Sequence, residues 1–167
     1  MQADIWINFG VVVFVQLCFF FITALYYKKL KEVPLILLYS VFIGTLVGLL
    51  YDLSLGKYLG LVSYSFGFGI SYLLLNASMS YGLFVASVLL LQSVRTLHFA
   101  IWLSTLVIVY EITNLYFPVW TYEFSLPLPP FFILCLVGYS SGALLASFIA
   151  QLVFKHPFAL KLECQKK

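Results

Sequence analysis

The chain has 167 residues, of which 63% are hydrophobic and only 9% are charged, and its mean hydropathy is +1.07. Soluble domains average about 45–50% apolar and about 25% charged residues, so this composition excludes a water-soluble fold of the same size. The net charge of +3 comes largely from lysines that flank the apolar segments, and it does not indicate a nucleic-acid partner. The composition therefore predicts an integral membrane protein that is surrounded by membrane lipid.

The apolar segments predict helices rather than strands. Stretches of about 20 mainly apolar residues, long enough to cross a hydrocarbon core of about 30 Å, recur along the whole chain. Barrel strands would alternate polar and apolar residues, whereas the runs Leu35–Leu38 and Val85–Leu91 do not alternate. We therefore expect an all-α membrane bundle that forms a single domain, residues 1–167, with a short basic cytoplasmic tail at 155–167.

Four membrane helices are clear from the pattern of apolar residues and breakers. They are predicted over Ile5–Tyr27, Pro34–Asp52, Leu97–Tyr116 and Pro130–Phe154. Lysines follow the first helix, and a proline at the start of the second suits a first helical turn, where its missing N–H costs nothing. The segment Phe117–Pro130 holds four prolines and is predicted to be a loop at the membrane interface.

The segment Leu59–Val94 carries no charge and has two interpretations. It could hold two short spans that break near Asn76–Ser80, or one span preceded by an irregular or re-entrant element around 58–75. Lysine and arginine near span ends mark the cytoplasmic side. Five spans place Lys28–Lys31, Arg95 and the tail on that side together, whereas six do not. We expect five spans, with the N-terminus outside and the C-terminus in the cytoplasm.

Small residues recur on one face of the second predicted helix. Gly44, Gly48 and Asp52 are four residues apart, so they lie on the same helix face. Small residues at this spacing let a neighbouring backbone approach closely in lipid, and Gly56 and Gly60 continue the spacing. We expect these glycines to pack helices or hold a partner. Asp52 is expected near the outer leaflet, either as a solvated end residue or as part of a polar site.

Glu111 is the acidic residue that lies within a predicted span. A carboxylate in the membrane costs several kcal/mol, so it should face the bundle interior or a polar cavity. Glu111 and Asp52 are predicted at similar depth and could line one pocket, where two carboxylates need a proton or a cation between them. In the alternative interpretation, Glu111 is simply satisfied by Asn114 or Tyr110.

The last predicted helix carries a second small-residue pair, Gly138 and Gly142, which indicates a contact face for folding or for a partner helix. No catalytic grouping, cofactor motif or metal-ligand spacing is found in the sequence, so we expect none of these sites. Cys18 and Cys135 lie inside apolar runs and are predicted to be free thiols.

The second helix and the segment after it resemble a known family. The string GTLVGLLYDLSLGKYLGLVSYSFGFGISYL is similar to the central signature of the rod-shape-determining MreD family, in which a glycine-bearing span ends in an aspartate and a short turn leads to Leu-Gly. The matching residues are Gly44, Gly48, Leu49, Asp52, Gly56, Leu59 and Gly60. The resemblance covers Leu35–Leu75, and more loosely Leu97–Phe117, where Glu111 matches an acidic residue in a later span.

The resemblance implies a non-enzymatic subunit of the machinery that elongates the bacterial cell wall, located in the bacterial cytoplasmic membrane. Its partners would be other membrane proteins: an MreC-like protein and, through it, RodA and a transpeptidase. Two other functions stay open. One is a small-solute-binding transport subunit, similar to the substrate-binding subunits of energy-coupling-factor transporters. The other is a membrane enzyme acting on a lipid or isoprenoid, with Asp52 or Glu111 as a general acid.

Overall fold

The computed structural model describes residues 2–67, 69–91, 94 and 96–154. Arg95 and the basic tail at 155–167, on which the predicted membrane orientation partly rests, lie outside the described residues. The described chain is a bundle of helices closed at one end by a two-stranded sheet. The elements in order are α1 (Gln2–Tyr26), a 3₁₀ turn (Leu30–Glu32), α2 (Val33–Tyr51), a π-helical extension (Asp52–Tyr58), β1 (Val62–Tyr64), α3 (Ile70–Asn76), a π-helical segment (Ala77–Tyr81), α4 (Gly82–Leu91), α5 (Thr96–Tyr116), β2 (Trp120–Tyr122) and α6 (Leu128–Phe154).

These elements join into five helices that are long and apolar enough to cross a membrane. Within the described residues they are span 1 (Asp4–Tyr26), span 2 (Leu30–Tyr58), span 3 (Ile70–Leu91), span 4 (Thr96–Tyr116) and span 5 (Pro129–Val153). The predicted all-α bundle with five spans is confirmed. Helices are required here because every backbone N–H and C=O inside lipid must be paired within the segment.

Span 3 lies at the centre of the bundle. All ten residues of α4 are buried, and α4 packs against α1, α2 and α6. A helix that is apolar on every side is expected to be surrounded by other helices, and the string Val85–Leu91 meets this expectation. The main core forms around α4 and includes Phe20, Ile43, Leu90 and Leu106, each with no exposed surface.

The contact between spans 2 and 3 depends on glycine. A Cβ added at Gly44 would lie 2.5 Å from the Cα of Gly82, and one added at Gly48 would lie 2.8 Å from the Cα of Ala77. Both distances are far shorter than a carbon–carbon contact, so the two backbones touch only because these side chains are absent. The small-residue face of α2 is therefore used inside this chain.

Span 2 continues to Tyr58, past the predicted helix end at Asp52. No proline stands between these residues, and a continuing helix keeps the backbone groups paired as the chain leaves the membrane. The irregular element comes next and is shorter than the predicted 58–75, because α3 already begins at Ile70. Within it, β1 pairs antiparallel with β2 from the loop after span 4. In the register Val62 lies opposite Tyr122 and Tyr64 lies opposite Trp120. The sheet joins the two loops at this end of the bundle.

The opposite end of the bundle is basic. Lys28, two residues after α1, adopts the left-handed conformation with φ of 57°, and the N–H of Lys29 donates to the carbonyl of Ala24 at 2.8 Å. This bonding closes a helix as a Schellman motif does. Lys29 Nζ also donates to the carbonyl of Leu90 at 3.0 Å, and burial lowers the pKa of its ammonium. Lys29 therefore ties the end of span 1 to the end of span 3.

Candidate functional site

Asp52 lies where α2 becomes π-helical, and only 1% of its surface is exposed. Tyr64 and Tyr81 donate hydrogen bonds to its Oδ1, the second at 3.0 Å, and Asn76 Nδ2 donates to Oδ2 at 3.2 Å. The donors come from β1, α3 and the π-helical segment after α3. We name Asp52, Tyr64, Asn76 and Tyr81 the Asp52 cluster. The interpretation of Asp52 as a solvated end residue is wrong, because its carboxyl is enclosed.

Glu111 lies on α5 and is likewise only 1% exposed. Tyr122 from β2 and Tyr139 from α6 both donate to its Oε1, at 2.9 and 3.0 Å. We name Glu111, Tyr122 and Tyr139 the Glu111 cluster. The side-chain hydrogen bonds to Glu111 thus come from these tyrosines rather than from the predicted Asn114 or Tyr110. The donors to Glu111 are therefore two residues distant in sequence, and not the predicted neighbours on its own helix.

The small sheet supplies one tyrosine to each carboxyl. Tyr64 is on β1 and reaches Asp52, while Tyr122 is on β2 and reaches Glu111. Asn114 fixes the position of β2, because its Oδ1 accepts from the N–H of Trp120 at 3.1 Å and its Nδ2 donates to the carbonyl of Trp120 at 2.8 Å. The sheet and the two carboxyls therefore form one connected structure at this end of the bundle.

Both sheet tyrosines are held as hydrogen-bond donors. Burial raises the pKa of Tyr64 well above its usual value, and the neighbouring Asp52 carboxyl adds to this effect. Burial also raises the pKa of Tyr122, with Glu111 as its charged neighbour. Neither phenol can lose its proton near neutral pH, so each continues to donate to its carboxyl.

A cavity of about 450 Å³ lies between the two clusters. All five donors to the two carboxyls line it: Tyr64, Asn76, Tyr81, Tyr122 and Tyr139. The structure thus places the two predicted acidic residues around one cavity, each behind its own donors. The volume is in the range of about 300–1,000 Å³ that is typical of small-molecule sites.

The remaining predicted glycines have different surroundings. Gly56 is buried in the π-helical extension, whereas Gly60 is exposed, has φ of 63°, and would place a Cβ in open space. Gly60 therefore serves the turn after span 2 and packs against no helix. Gly142 faces Phe84 inside the bundle, and Gly138, which lines the cavity, has no atom within 4 Å of an added Cβ.

The donors to the carboxyls are the residues that the sequence pattern does not reveal. Asn76 is predicted as part of a possible break between spans, and none of the four donor tyrosines is predicted as a partner of a carboxyl. The available signal is the count of 12 tyrosines in a chain with so few charges. A carboxyl held in a membrane bundle needs several donors, and tyrosine supplies an O–H at a low cost in polar surface.

The described residues contain no group of three or more His, Cys, Asp or Glu side chains that could hold a metal ion. Cys135 is free and buried, and its Sγ lies 3.8 Å from the hydroxyl of Tyr122. Each carboxyl is enclosed by neutral donors, an arrangement that orders the side chains around it.

Comparison of the chain with protein-family models, with curated proteins and with solved structures finds no match. The resemblance to MreD therefore rests on the sequence alone, on Leu35–Leu75 and more loosely on Leu97–Phe117.

Proposed function

We propose that this chain is a non-enzymatic subunit of the bacterial cell-wall elongation machinery, with a role like that of MreD. The observation that carries the proposal is the Asp52 cluster. Asp52, the aspartate of the MreD-like signature, accepts hydrogen bonds from three other elements. A carboxyl used in this way fixes the shape of the protein, which is what a scaffolding subunit requires of it.

The proposed orientation places the sheet outside the cell. Lys28, Lys29 and Lys31 lie at the end of the bundle opposite the sheet, and lysines near span ends favour the cytoplasm. The N-terminus would then be outside and the C-terminus in the cytoplasm. In this orientation the two carboxyl clusters shape the surface that faces the periplasmic part of an MreC-like partner.

A groove between α5 and α6 is the surface we propose for a partner helix. Ala100 and Ser104 of α5 and Ser140 of α6 line it, and all three are at least partly exposed. Small residues let another helix come close in lipid, where van der Waals contact rather than the hydrophobic effect drives association. Ser104→Leu should therefore reduce recovery of an MreC-like partner in mild detergent.

Thr105→Leu is the matched control for the groove. Thr105 is the next residue on α5, is exposed, and like Ser104 bonds the carbonyl four residues back. It does not line the groove. Equal loss of partner from both variants, or from neither, would remove the groove from the proposal.

Depletion of the chain in the organism that encodes it tests the function itself. The proposal expects cells to lose their rod shape and to stop inserting new wall along their sides. Wild-type chain should restore both, and Ser104→Leu should restore them less well than Thr105→Leu. Normal shape and normal wall synthesis after full depletion would reject the proposal.

A further inference from the structure

We infer that the cavity between the two carboxyl clusters binds an uncharged amphiphile, with a hydroxylated head and an apolar chain that enters from the lipid. This inference does not depend on the proposed role in cell-wall synthesis. It rests on three features of the cavity: polar atoms without partners, a described lining that holds no basic residue, and an opening between two spans.

Three buried polar side chains at the cavity have an atom that nothing in the described structure satisfies. They are Gln16 Oε1, Asn76 Oδ1 and Ser80 Oγ, on residues that are 2%, 2% and 6% exposed. All three residues line the cavity. A buried polar atom without a partner costs about 1–3 kcal/mol, so the pocket favours a guest that supplies hydrogen bonds.

The unsatisfied atoms specify the head group. Gln16 Oε1 and Asn76 Oδ1 can only accept hydrogen bonds, so the guest must bring donors such as hydroxyl groups. No lysine, arginine or histidine is found among the described lining residues, and the carboxyls of Asp52 and Glu111 lie behind their donors. A phosphate would meet two acidic groups and no cation, so an uncharged head is favoured.

The exposed lining residues show where the chain of the guest leaves the cavity. The exposed lining residues are Ser54 of span 2, Leu61 just after it, and Leu134, Val137 and Ser141 of span 5. Val137 is eight residues into span 5, about 12 Å along the helix at 1.5 Å per residue. An opening at that depth faces hydrocarbon, which accommodates an apolar chain.

Photo-crosslinking in vesicles tests the inference. The full chain is reconstituted in phosphatidylcholine vesicles that contain a monoacylglycerol with a photoactivatable group on its acyl chain. Cross-linked peptides are then located by mass spectrometry. We expect labelling of the Leu134–Ser141 stretch, and competition by unlabelled monoacylglycerol. A phosphatidylglycerol probe with the same chain should label this stretch several times less.

Two pairs of variants identify the cavity. Gly138→Leu fills open space at the cavity, and Gly10→Leu is its control, because Gly10 also has open space around an added Cβ and does not line the cavity. Ser80→Ala removes one unsatisfied hydroxyl, and Ser87→Ala removes a buried hydroxyl on the same span that does not line the cavity. We expect Ser80→Ala to reduce labelling roughly two- to tenfold, the worth of one hydrogen bond, and Gly138→Leu to abolish it.

Each outcome decides the question. Loss of labelling in Gly138→Leu and Ser80→Ala, with wild-type labelling in both controls, supports the site. Equal labelling of all four variants, or labels spread over the lipid-facing surfaces, overturns it. Strong labelling by phosphatidylglycerol overturns the uncharged head. If Gly138→Leu does not fold, Ser80→Ala decides alone, since it adds no atom. Neither result bears on partner recovery, so the cell-wall role stands or falls separately.

Discussion

Replacement of Asp52 by asparagine and by leucine shows whether this residue is needed as a hydrogen-bond acceptor or for its negative charge. Asparagine keeps one oxygen, which can still accept from Tyr64 and Tyr81. Its new amide would oppose the amide of Asn76, but Asn76 Oδ1 has no partner in the described structure and can accept after a flip of that side chain. All three contacts of Asp52 are thereby retained, and we expect Asp52→Asn to be tolerated.

Leucine at position 52 retains none of these three hydrogen bonds. It leaves three buried donors without an acceptor, at about 1–3 kcal/mol each. The low end of this range, applied to all three donors, gives a conservative figure. We expect a loss of about 3 kcal/mol, which for a chain of this size is a fall of roughly 6–12 °C in apparent Tm.

The assay is thermal unfolding in mild detergent, followed by near-UV circular dichroism. Glu32→Leu is the control, because the side chain of Glu32 is 52% exposed and a leucine there should move the Tm little. Asp52→Asn should stay within about 2–4 °C of wild type, which corresponds to about 1 kcal/mol. An asparagine variant as unstable as the leucine variant would refute the reasoning, because the negative charge itself would then be required. Two variants as stable as wild type would show that the cluster does not stabilise the fold.

Three further predictions concern the packing, the end of α1 and the orientation. Gly44→Ala should lower the free energy of unfolding in detergent by about 1–3 kcal/mol, because the added Cβ would overlap the backbone of span 3. Gly10→Ala is the control, because a Cβ added at Gly10 has open space and should not lower this free energy. Equal effects of the two substitutions would contradict the close contact. Lys28→Gly should raise stability by about 0.5–1 kcal/mol, since glycine adopts the positive φ without strain, and a destabilised variant would argue against that conformation. Single cysteines at Lys57 and Glu123 in a Cys-free background should react with an impermeant reagent added outside intact cells, and reaction only after lysis would reverse the orientation.

The span count and the helix–helix contact could be predicted because both depend on local patterns. A run of apolar residues such as Val85–Leu91 predicts a span by its composition alone, and spacing by four places Gly44 and Gly48 on one face. Neither inference requires knowledge of which segments meet. The length of span 2 was less well predicted, since nothing in the sequence marks where a helix ends when no proline or cap is present.

The carboxyl clusters could be predicted only in part. A buried acid was expected at Glu111 because of its cost in lipid, but its partners Tyr122 and Tyr139 are 11 and 28 residues away. They reach it because β2 pairs with β1 and α6 folds back on α5, which are long-range contacts. The loop at Phe117–Pro130 was predicted to be interfacial, yet Trp120 in it is only 9% exposed. Asn114 hydrogen-bonds the backbone carbonyl and N–H of Trp120 and holds this residue in the interior. No local pattern in the sequence indicates this contact.

Purification of the wild-type chain from the membranes of its own host, in mild detergent, tests the central claim most directly. Proteins that co-purify are quantified against an unrelated five-span protein carrying the same tag. A scaffolding subunit of the elongation machinery should bring down an MreC-like membrane protein in near-equal amount, with RodA and a transpeptidase at lower yield. Recovery of the folded chain with no membrane protein above the control would contradict the account.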